Sequence, residues 1–412
     1  MIERESGGAV SKTEIDLFGT LDDGRDVWAV RLDNGCGVVA RFITYGARLQ
    51  SLVAPDCEGN PADVVLGYPD LDSYRSDPNY LGATVGRWAN RIADAAFSLD
   101  GERFTLRAND RGNSLHGGER GFSSQIWEIV DRGDDRAMVA MALTSPDGEE
   151  GFPGRVSARA TFTLDRAGRL FIDYEAVSDR RTILNMTHHS NWNLAGEASG
   201  RDAREQLLEI RAAHFLPIQP GGIPTGEVRA VADTPFDFTV ARRPLDAPEV
   251  EYPQLDVAGG YDHCWVLEGG TTPQPRQVAS LRDPASGRTL DIWSDQPGLQ
   301  FYAGNFLTAD APGNGGRVYQ PHDGIALEPQ LFPATPNRPA FGSAVVEPGE
   351  ICDDGNGVAC DGCFGCRTEI CGNGIDDDCD GHLDENVDED GDGVGSCSGD
   401  CDDSNATVNP FA

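Results

Sequence analysis

Tyr80-Leu-Gly-Ala-Thr-Val-Gly-Arg-Trp-Ala-Asn-Arg-Ile92 is followed, at residues 113–118, by Asn-Ser-Leu-His-Gly-Gly. Two polar side chains, those of Arg91 and His116, stand here 25 positions apart among glycines and other small residues. Glycine lets a backbone approach a ligand closely, and small-molecule sites need only a few convergent polar groups. Either residue alone is equally well explained as a surface arginine or a loop histidine. Together they indicate a site for a sugar or an anion.

The residues on both sides of this stretch, from 13 to 347, are patterned as β-strands. Apolar side chains alternate in residues 156–164 and 170–176, which predicts strands with one buried face. Residues 137–143 are apolar throughout, as in a strand covered on both faces. Only residues 201–210 form a modest helix candidate. The pattern predicts an all-β protein built as a large antiparallel β-sandwich.

Charge and cysteine are distributed unevenly along the 412 residues. Residues 348–412 hold 18 acidic residues and one arginine, a net charge of -17 out of the formal -35. Eight of the 11 cysteines lie in the same segment, where hydrophobic residues are sparse. Such a segment needs disulfides or a bound metal to keep a shape. We therefore predict a domain at residues 13–347 and a small cysteine-rich tail at residues 348–412.

The acidic composition also bears on partners and location. It disfavours nucleic acid and anionic membranes and attracts divalent cations. No run reaches the roughly 18 apolar residues of a membrane span. The first residues lack the basic and apolar regions of a secretory signal, which predicts a cytoplasmic protein. Disulfides in the tail would instead require an oxidising compartment, so both locations stay open.

Four further segments place polar groups beside apolar runs. They are residues 185–196 with His188 and His189, 259–267 with Asp262, 296–306 with Gln300, and 325–330 with Glu328. Adjacent side chains of an extended segment point to opposite faces, so at most one of the two histidines faces a given pocket. Zinc is disfavoured because no third ligand follows at a useful spacing. Burial would raise the pKa of Glu328 toward the range of a general base.

In order and wording these segments resemble the aldose 1-epimerase family. The matching motifs are Asn90-Arg91-Ile92, Leu115-His116-Gly117-Gly118, His188 through Leu194, Asp262-His263-Cys264, Gln300 through Asn305, and Leu327-Glu328-Pro329-Gln330. The resemblance extends over residues 13–350. It implies a galactose mutarotase-like supersandwich fold and an enzyme that interconverts the α and β anomers of free hexoses such as glucose or galactose.

The resemblance also implies a role for each matched residue. Glu328 corresponds to the general base and His189 to the general acid, His116 completes the catalytic set, and Asn90, Arg91, Asp262 and Gln300 hold the sugar. Opening the ring requires a proton to leave the C1 hydroxyl while another reaches the ring oxygen. A carboxylate and a cationic imidazole on opposite sides of C1 can do both, so no cofactor is required for catalysis.

Three positions depart from the family pattern and bear on substrate preference. His188, Asn191 and Cys264 stand where the family has Asn, Tyr and Asn. Loss of the Tyr removes an aromatic surface that Trp192 or Trp88 could restore. Beyond Pro348-Gly-Glu the family continues into a closing strand, and the pattern here predicts that this strand is missing or replaced.

Two other functions stay open. A carbohydrate-binding module, displayed through its tail, would use the same fold without catalysis. An epimerase for phosphorylated hexoses would need a cluster of arginines near the site. The retained Glu328, His189 and His116 favour catalysis, because a binding module needs no acid and base.

Residues 350–366, with Cys352, Cys360, Cys363 and Cys366 among Asp, Gly and Asn, resemble a cysteine-rich repeat of bacterial secreted and surface proteins. Residues 371–403, which are rich in Asp and Gly between cysteines, look like another such repeat, akin to thrombospondin type-3 calcium repeats. Asp388, Asp390 and Asp392 alternate before a glycine, and such carboxylates supply the oxygen ligands that calcium prefers. It is not an EF-hand, because Gly399 occupies the twelfth position. The tail cysteines could hold zinc, but their even number in an acidic context favours disulfides. A merely solvated acidic tail is the alternative.

Overall fold

The computed structural model describes residues 11–133, 136–246 and 252–349. The proposed calcium ligands Asp388, Asp390 and Asp392, and the eight tail cysteines, lie outside the described residues. Cys36, Cys57 and Cys264, the three cysteines of the described part, are unpaired. Within the same ranges, no helix reaches the length and apolarity that a membrane span requires.

Strands dominate the described part of the chain. In chain order they are β1 (Lys12–Thr20), β2 (Asp26–Asp33), β3 (Val39–Ile43), β4 (Arg48–Pro55), β5 (Pro61–Asp63), β6 (Ala83–Val85), β7 (Arg91–Ile92), β8 (Ala96–Leu99), β9 (Glu102–Thr105), β10 (Ser114–Leu115), β11 (Glu128–Arg132), β12 (Ala137–Ser145), β13 (Val156–Leu164), β14 (Leu170–Ser178), β15 (Thr182–Ile183), β16 (Thr187–His189), β17 (Asn191–Trp192), β18 (Leu207–Ile210), β19 (His214–Leu216), β20 (Arg229–Ala230), β21 (Asp262–Val266), β22 (Arg276–Arg282), β23 (Thr289–Ser294), β24 (Gly298–Tyr302), β25 (Ile325–Gln330) and β26 (Val345–Val346). The two short α-helices are α1 (Leu71–Arg75) and α2 (Pro253–Ala258). Single 3-10 turns lie at Ala93–Ala95, Phe122–Ser124, Glu149–Gly151, Ala203–Glu205, Pro244–Asp246, Thr335–Asn337 and Pro339–Phe341.

The strands form four larger antiparallel sheets. Their orders are β1-β2-β3-β4-β5, β11-β12-β13-β14, β18-β22-β23 and β17-β25-β24-β21-β19-β20. The described residues also form the two-stranded pairs β7-β10, β6-β16, β8-β9 and β15-β26. The all-β sandwich predicted from the sequence is therefore confirmed, and the six-stranded sheet is the largest of its layers.

Two sequence patterns can be compared directly with strand burial. Burial alternates along β13, and the first five residues of β12 are all buried, as their sequences predict. The helix predicted for residues 201–210 is wrong. Those residues form a 3-10 turn at Ala203–Glu205 and then β18, which pairs with β22. Leu208 and Ile210 alternate into the core there, so sheet packing overrides the weak local pattern.

One hydrophobic core joins the sheets face to face. The ring of Phe42, on β3, stacks on the ring of Phe162, on β13, with centroids 4.1 Å apart. Trp265 of β21 and Phe301 of β24 belong to the same core and lie on the inner face of the six-stranded sheet. Because that face is filled with apolar side chains, its other face is left for polar groups.

The end of the described chain packs back onto the sandwich. In β26, Val345 and Val346 pair with Ile183 and Thr182 of β15, and Pro348 forms a bridge with Ser178. Residues 345–348, which span the predicted domain boundary, are therefore still paired with strands of the sandwich.

Truncation of Phe162 to alanine should lower the free energy of unfolding by about 3–5 kcal/mol, because a fully buried ring leaves a cavity between two sheets. Urea denaturation followed by tryptophan fluorescence measures the change. Phe171→Ala is the matched control, since Phe171 lies on the adjacent strand β14 and is 43% exposed. Equal losses in the two variants would contradict the assigned core.

Candidate active site

The outer face of the six-stranded sheet carries a row of polar side chains. Gln300 of β24 lies opposite Glu328 of β25 on one side and Cys264 of β21 on the other. Asp262 stands two residues before Cys264, so its side chain lies on the same face. The Gln300 amide donates a hydrogen bond of 2.7 Å to the Asp262 carboxylate. Strand register thus brings together three residues from distant motifs.

His189 reaches this row from the neighbouring strand β16. The hydroxyl of Thr187 donates to the carbonyl of Pro329 at 2.8 Å, which fixes β16 alongside β25. His189 Nε2 consequently lies 3.7 Å from Glu328 Oε1. His188 points to the opposite side, where its ring lies edge-on to Phe162. The expectation that only one of the two histidines faces the pocket is confirmed.

His116 is positioned by the short pair β7-β10. Its backbone N–H donates to the Asn90 carbonyl at 3.1 Å, and the Asn90 backbone N–H donates to His116 Nδ1 at 3.2 Å. Both residues have positive φ, 52° for His116 and 64° for Asn90. A Cβ on Gly117 would lie 2.0 Å from the Gly86 carbonyl oxygen, so only glycine fits there. The glycines of the opening motif therefore hold this histidine in place.

Arg91 lies between two carboxylates of the site, those of Asp110 and Asp262. Its Nε donates to an Asp110 oxygen at 2.7 Å, and its NH1 lies 3.7 Å from Asp262. The side-chain oxygen of Asn90 accepts from the Arg91 backbone N–H at 2.8 Å. Asn90 thus holds both Arg91 and His116 in place through hydrogen bonds. Its expected contact with the sugar remains a prediction.

Burial shifts the pKa values of the acid–base residues in opposite directions. It raises the pKa of Glu328 to about 8, with repulsion from Asp262 adding to the effect and Arg91 opposing it. Burial lowers the pKa of His189 to about 4. Burial, with the charges of His189 and Arg91, also holds the pKa of His116 well below its ordinary value. Both shifts favour the uncharged form of each group, a protonated Glu328 beside a neutral His189.

This neutral pair differs from the expected carboxylate and imidazolium only in the position of one proton. The proton has to move from Glu328 Oε1 to His189 Nε2, and these two atoms lie 3.7 Å apart. No exchange with solvent is needed, because both forms carry the same number of protons. A ligand that stabilises the separated charges would shift the pair to its ionic form.

His116, His189 and Glu328 also present ligand atoms within 4.8 Å of one another, close enough for a metal ion. The tautomer of His116 opposes that use. Since its Nδ1 accepts the Asn90 hydrogen bond, its Nε2 keeps the proton and acts as a donor. A metal would have to displace either that proton or the Asn90 bond. The trio is better suited to a hydroxyl or ring oxygen.

Several buried polar atoms around this site lack hydrogen-bond partners among the described residues. They are Glu328 Oε2, Gln300 Oε1, His189 Nδ1, and both amide atoms of Asn191 and of Gln330. Native proteins leave few such atoms unpaired, so a cluster of them indicates a place for a polar ligand or ordered water.

Chain comparisons agree with this geometry. Residues 29–354 match the family described as aldose 1-epimerase. Human galactose mutarotase is 38% identical over 335 residues, covering 78% of this chain and 94% of the relative. Aldose 1-epimerase of Escherichia coli K12 is 36% identical over 319 residues, covering 77% and 90%.

The chain belongs to the aldose 1-epimerase family.

Solved structures similar to this chain include other aldose epimerases. A galactose 1-epimerase from Lactobacillus acidophilus NCFM superimposes with a TM-score of 0.71 at 29% identity, covering 82% of this chain and 95% of that one. An aldose epimerase homologue from C. elegans gives a TM-score of 0.70 at 30% identity, covering 78% and 94%. The galactose mutarotase-like fold implied by the motifs is thereby confirmed.

Two residues at this aldose epimerase site escaped the sequence reasoning. Asp110 pairs with Arg91, although in the sequence it looks like an ordinary turn residue. Tyr80 places its ring 4.7 Å from that of His116. Trp88 and Trp192, considered as replacements for the missing tyrosine, both pack into hydrophobic clusters instead. The signal for Tyr80 is its place as the first residue of the opening motif.

The raised pKa of Glu328 should make stability depend on pH. Between its ordinary value of 4.5 and about 8 the folded protein holds a proton that the unfolded chain releases, so unfolding becomes easier as pH rises. Glu328→Gln removes this dependence. The free energy of unfolding of the Glu328→Gln variant, relative to that of the native chain, should therefore rise by on the order of a few kcal/mol from pH 5 to pH 8.

Urea denaturation at the two pH values measures that gain. Glu175→Gln is the control, because the Glu175 side chain is 56% exposed. A Glu328→Gln variant with the same pH dependence as the native chain would contradict the raised pKa.

Proposed function

We propose that this protein interconverts the α and β anomers of free hexoses such as galactose or glucose, with Glu328 as general base and His189 as general acid. The observation that carries the proposal is the buried pair itself, with 3.7 Å between His189 Nε2 and Glu328 Oε1 on a face lined by polar groups. The relatives named galactose mutarotase and aldose 1-epimerase support the same reaction.

The reaction moves one proton at each of two oxygens. Ionised Glu328 takes the proton of the C1 hydroxyl while protonated His189 gives one to the ring oxygen, and the bond between C1 and that oxygen breaks. The open-chain aldehyde turns about its C1–C2 bond. Ring closure reverses both transfers and leaves the other anomer. No cofactor enters any step.

The other site residues hold the sugar during this exchange. His116 is suited to donate from Nε2 to a sugar oxygen, because its Nδ1 is already occupied by Asn90. Asp262 is suited to accept from a hydroxyl, and its bond to Gln300 keeps both side chains on the site face. Arg91 would donate to hydroxyls from the remaining part of its guanidinium.

Free hexoses fit this site better than phosphorylated ones. The charge of Arg91 is already balanced by Asp110 and Asp262, at 2.7 and 3.7 Å. A phosphate would need unpaired positive charge in the same place. The carbohydrate-binding module has no observation of its own in its favour, since a binding site gains nothing from a buried acid and base.

Replacement of Glu328 by glutamine should lower kcat roughly 10²- to 10⁴-fold, because the amide cannot remove a proton from C1. Polarimetry of freshly dissolved α-D-galactose and α-D-glucose measures the rate against buffer. NMR titration measures whether the variant still binds the sugars, as we expect. Glu175→Gln is the matched control and should keep the native rate.

Two outcomes would contradict the proposal. An unchanged rate in Glu328→Gln would remove that residue from the mechanism. A native protein that binds both sugars and accelerates neither relaxation would favour the binding module.

We further propose that residues 13–347 form the catalytic domain and residues 348–412 a separate disulfide-linked tail that binds calcium through Asp388, Asp390 and Asp392. Alternate carboxylates before glycine support this assignment.

Asp390→Ala should weaken calcium binding measured by calorimetry, because one oxygen ligand is lost. The mutarotation rate should stay unchanged with this variant and with a chelator. A chelator that stops mutarotation would contradict the division.

A further inference from the structure

Tyr80 is a partly buried residue whose ring lies against the rings of the two site histidines. Its ring centroid lies 4.7 Å from that of His116 and 5.9 Å from that of His189. The two histidines are 94% buried, whereas Tyr80 is only partly buried. Tyr80 is therefore the outermost of the three rings, between the histidines and solvent.

The backbone of residues 77–81, named here the Tyr80 loop, is wound around the Asp77 carboxylate. That carboxylate accepts from the backbone N–H of Asn79 and from that of Leu81, both at 2.9 Å. Tyr80 stands between these two anchors with φ of 55°. A non-glycine residue keeps such a conformation only where its surroundings determine it, often at a functional site.

A buried arginine holds the loop from beneath. Arg48 forms an ion pair with Asp77 at 3.2 Å, and both side chains are almost completely buried. Arg48 also donates to the Leu81 carbonyl at 2.8 Å and to the Ser123 carbonyl at 3.1 Å. Both ends of the Tyr80 peptide segment are thus tied to one guanidinium group.

The same loop is fastened across to the segment that follows β24. The Asn79 side chain donates to the Thr308 carbonyl at 2.6 Å and accepts from the Thr308 N–H at 3.3 Å. Thr308 lies six residues after Tyr302, which neighbours Asp262 in the sheet. The loop therefore links the histidine side of the site with its Asp262 side.

We propose that Tyr80 is the aromatic wall of the sugar site, and that the Tyr80 loop holds its ring against the C–H face of the bound pyranose. This inference rests on the proposed function. Apart from Tyr302, whose hydroxyl accepts from the Phe306 N–H at 2.8 Å, the groups of the sheet face are polar and suit hydroxyls, so the apolar sugar face needs a further partner from elsewhere. Tyr80 is the aromatic ring that contacts the two histidine rings from the solvent side.

The contact uses the ring of Tyr80 and not its hydroxyl. Tyr80→Ala should raise KM roughly 3- to 10-fold, in line with the free energy of an aromatic contact, and change kcat less. Tyr80→Phe keeps the ring and should keep the native KM. Asn79→Ala releases the loop from Thr308 and also removes the 3.1 Å hydrogen bond that the Asn79 amide donates to the Asp77 carboxylate, so its KM should lie between those of the native chain and Tyr80→Ala. Phe171→Ala, a remote exposed aromatic, is the matched control.

Polarimetric kinetics on galactose, with NMR titration of the same sugar, test the proposal. It is overturned if Tyr80→Ala binds the sugar and reacts like the native chain, or if Tyr80→Phe is as impaired as Tyr80→Ala. If the native chain shows no mutarotation, only the proposed function is contradicted. Weaker galactose binding by Tyr80→Ala would then still support the role of Tyr80 as the aromatic wall. A native chain that binds no galactose would defeat both.

Discussion

Burial of the Glu328 carboxyl on the outer face of the six-stranded sheet is the constraint on which the rest of the site depends. A carboxylate taken out of water is costly unless neighbours compensate it, and the usual response is to hold a proton. The pKa of about 8 expresses that response. His189, placed at 3.7 Å, is the group to which the proton can be passed. The charge separation that the proposed reaction needs therefore requires the transfer of one proton between these two groups.

The remainder of the site keeps these two groups dry and aligned. Asp262, Gln300 and Arg91 form a connected polar chain on one side, from 2.7 to 3.7 Å per link. On the other side, glycines and positive-φ residues bring the β7-β10 turn close enough to hold His116. These conformations cost free energy locally, and the surrounding hydrogen bonds and core packing offset it. The site is therefore built from residues that several sheets hold at once.

The aromatic side of the site illustrates how a motif can mislead. Trp88 and Trp192 stand closest in sequence to the matched histidine and asparagine motifs, yet both rings lie in hydrophobic clusters. Tyr80 carries the ring that contacts the site histidines, because the loop wound on Asp77 places it beside them. Side-chain direction depends on backbone conformation in such a loop, and a left-handed residue has no periodic signature.

The sequence by itself determined the strand character of the described chain, the opposite orientation of His188 and His189, and the identity of six of the groups that meet at the site. Alternation and local motifs are short-range properties, and they can be read from neighbouring residues. Only the tertiary structure decided that residues 201–210 join a sheet, that Asp110 balances Arg91, and that the pKa values of Glu328 and His189 move in opposite directions. Those outcomes depend on strand register and burial, which arise from contacts between segments far apart in the chain.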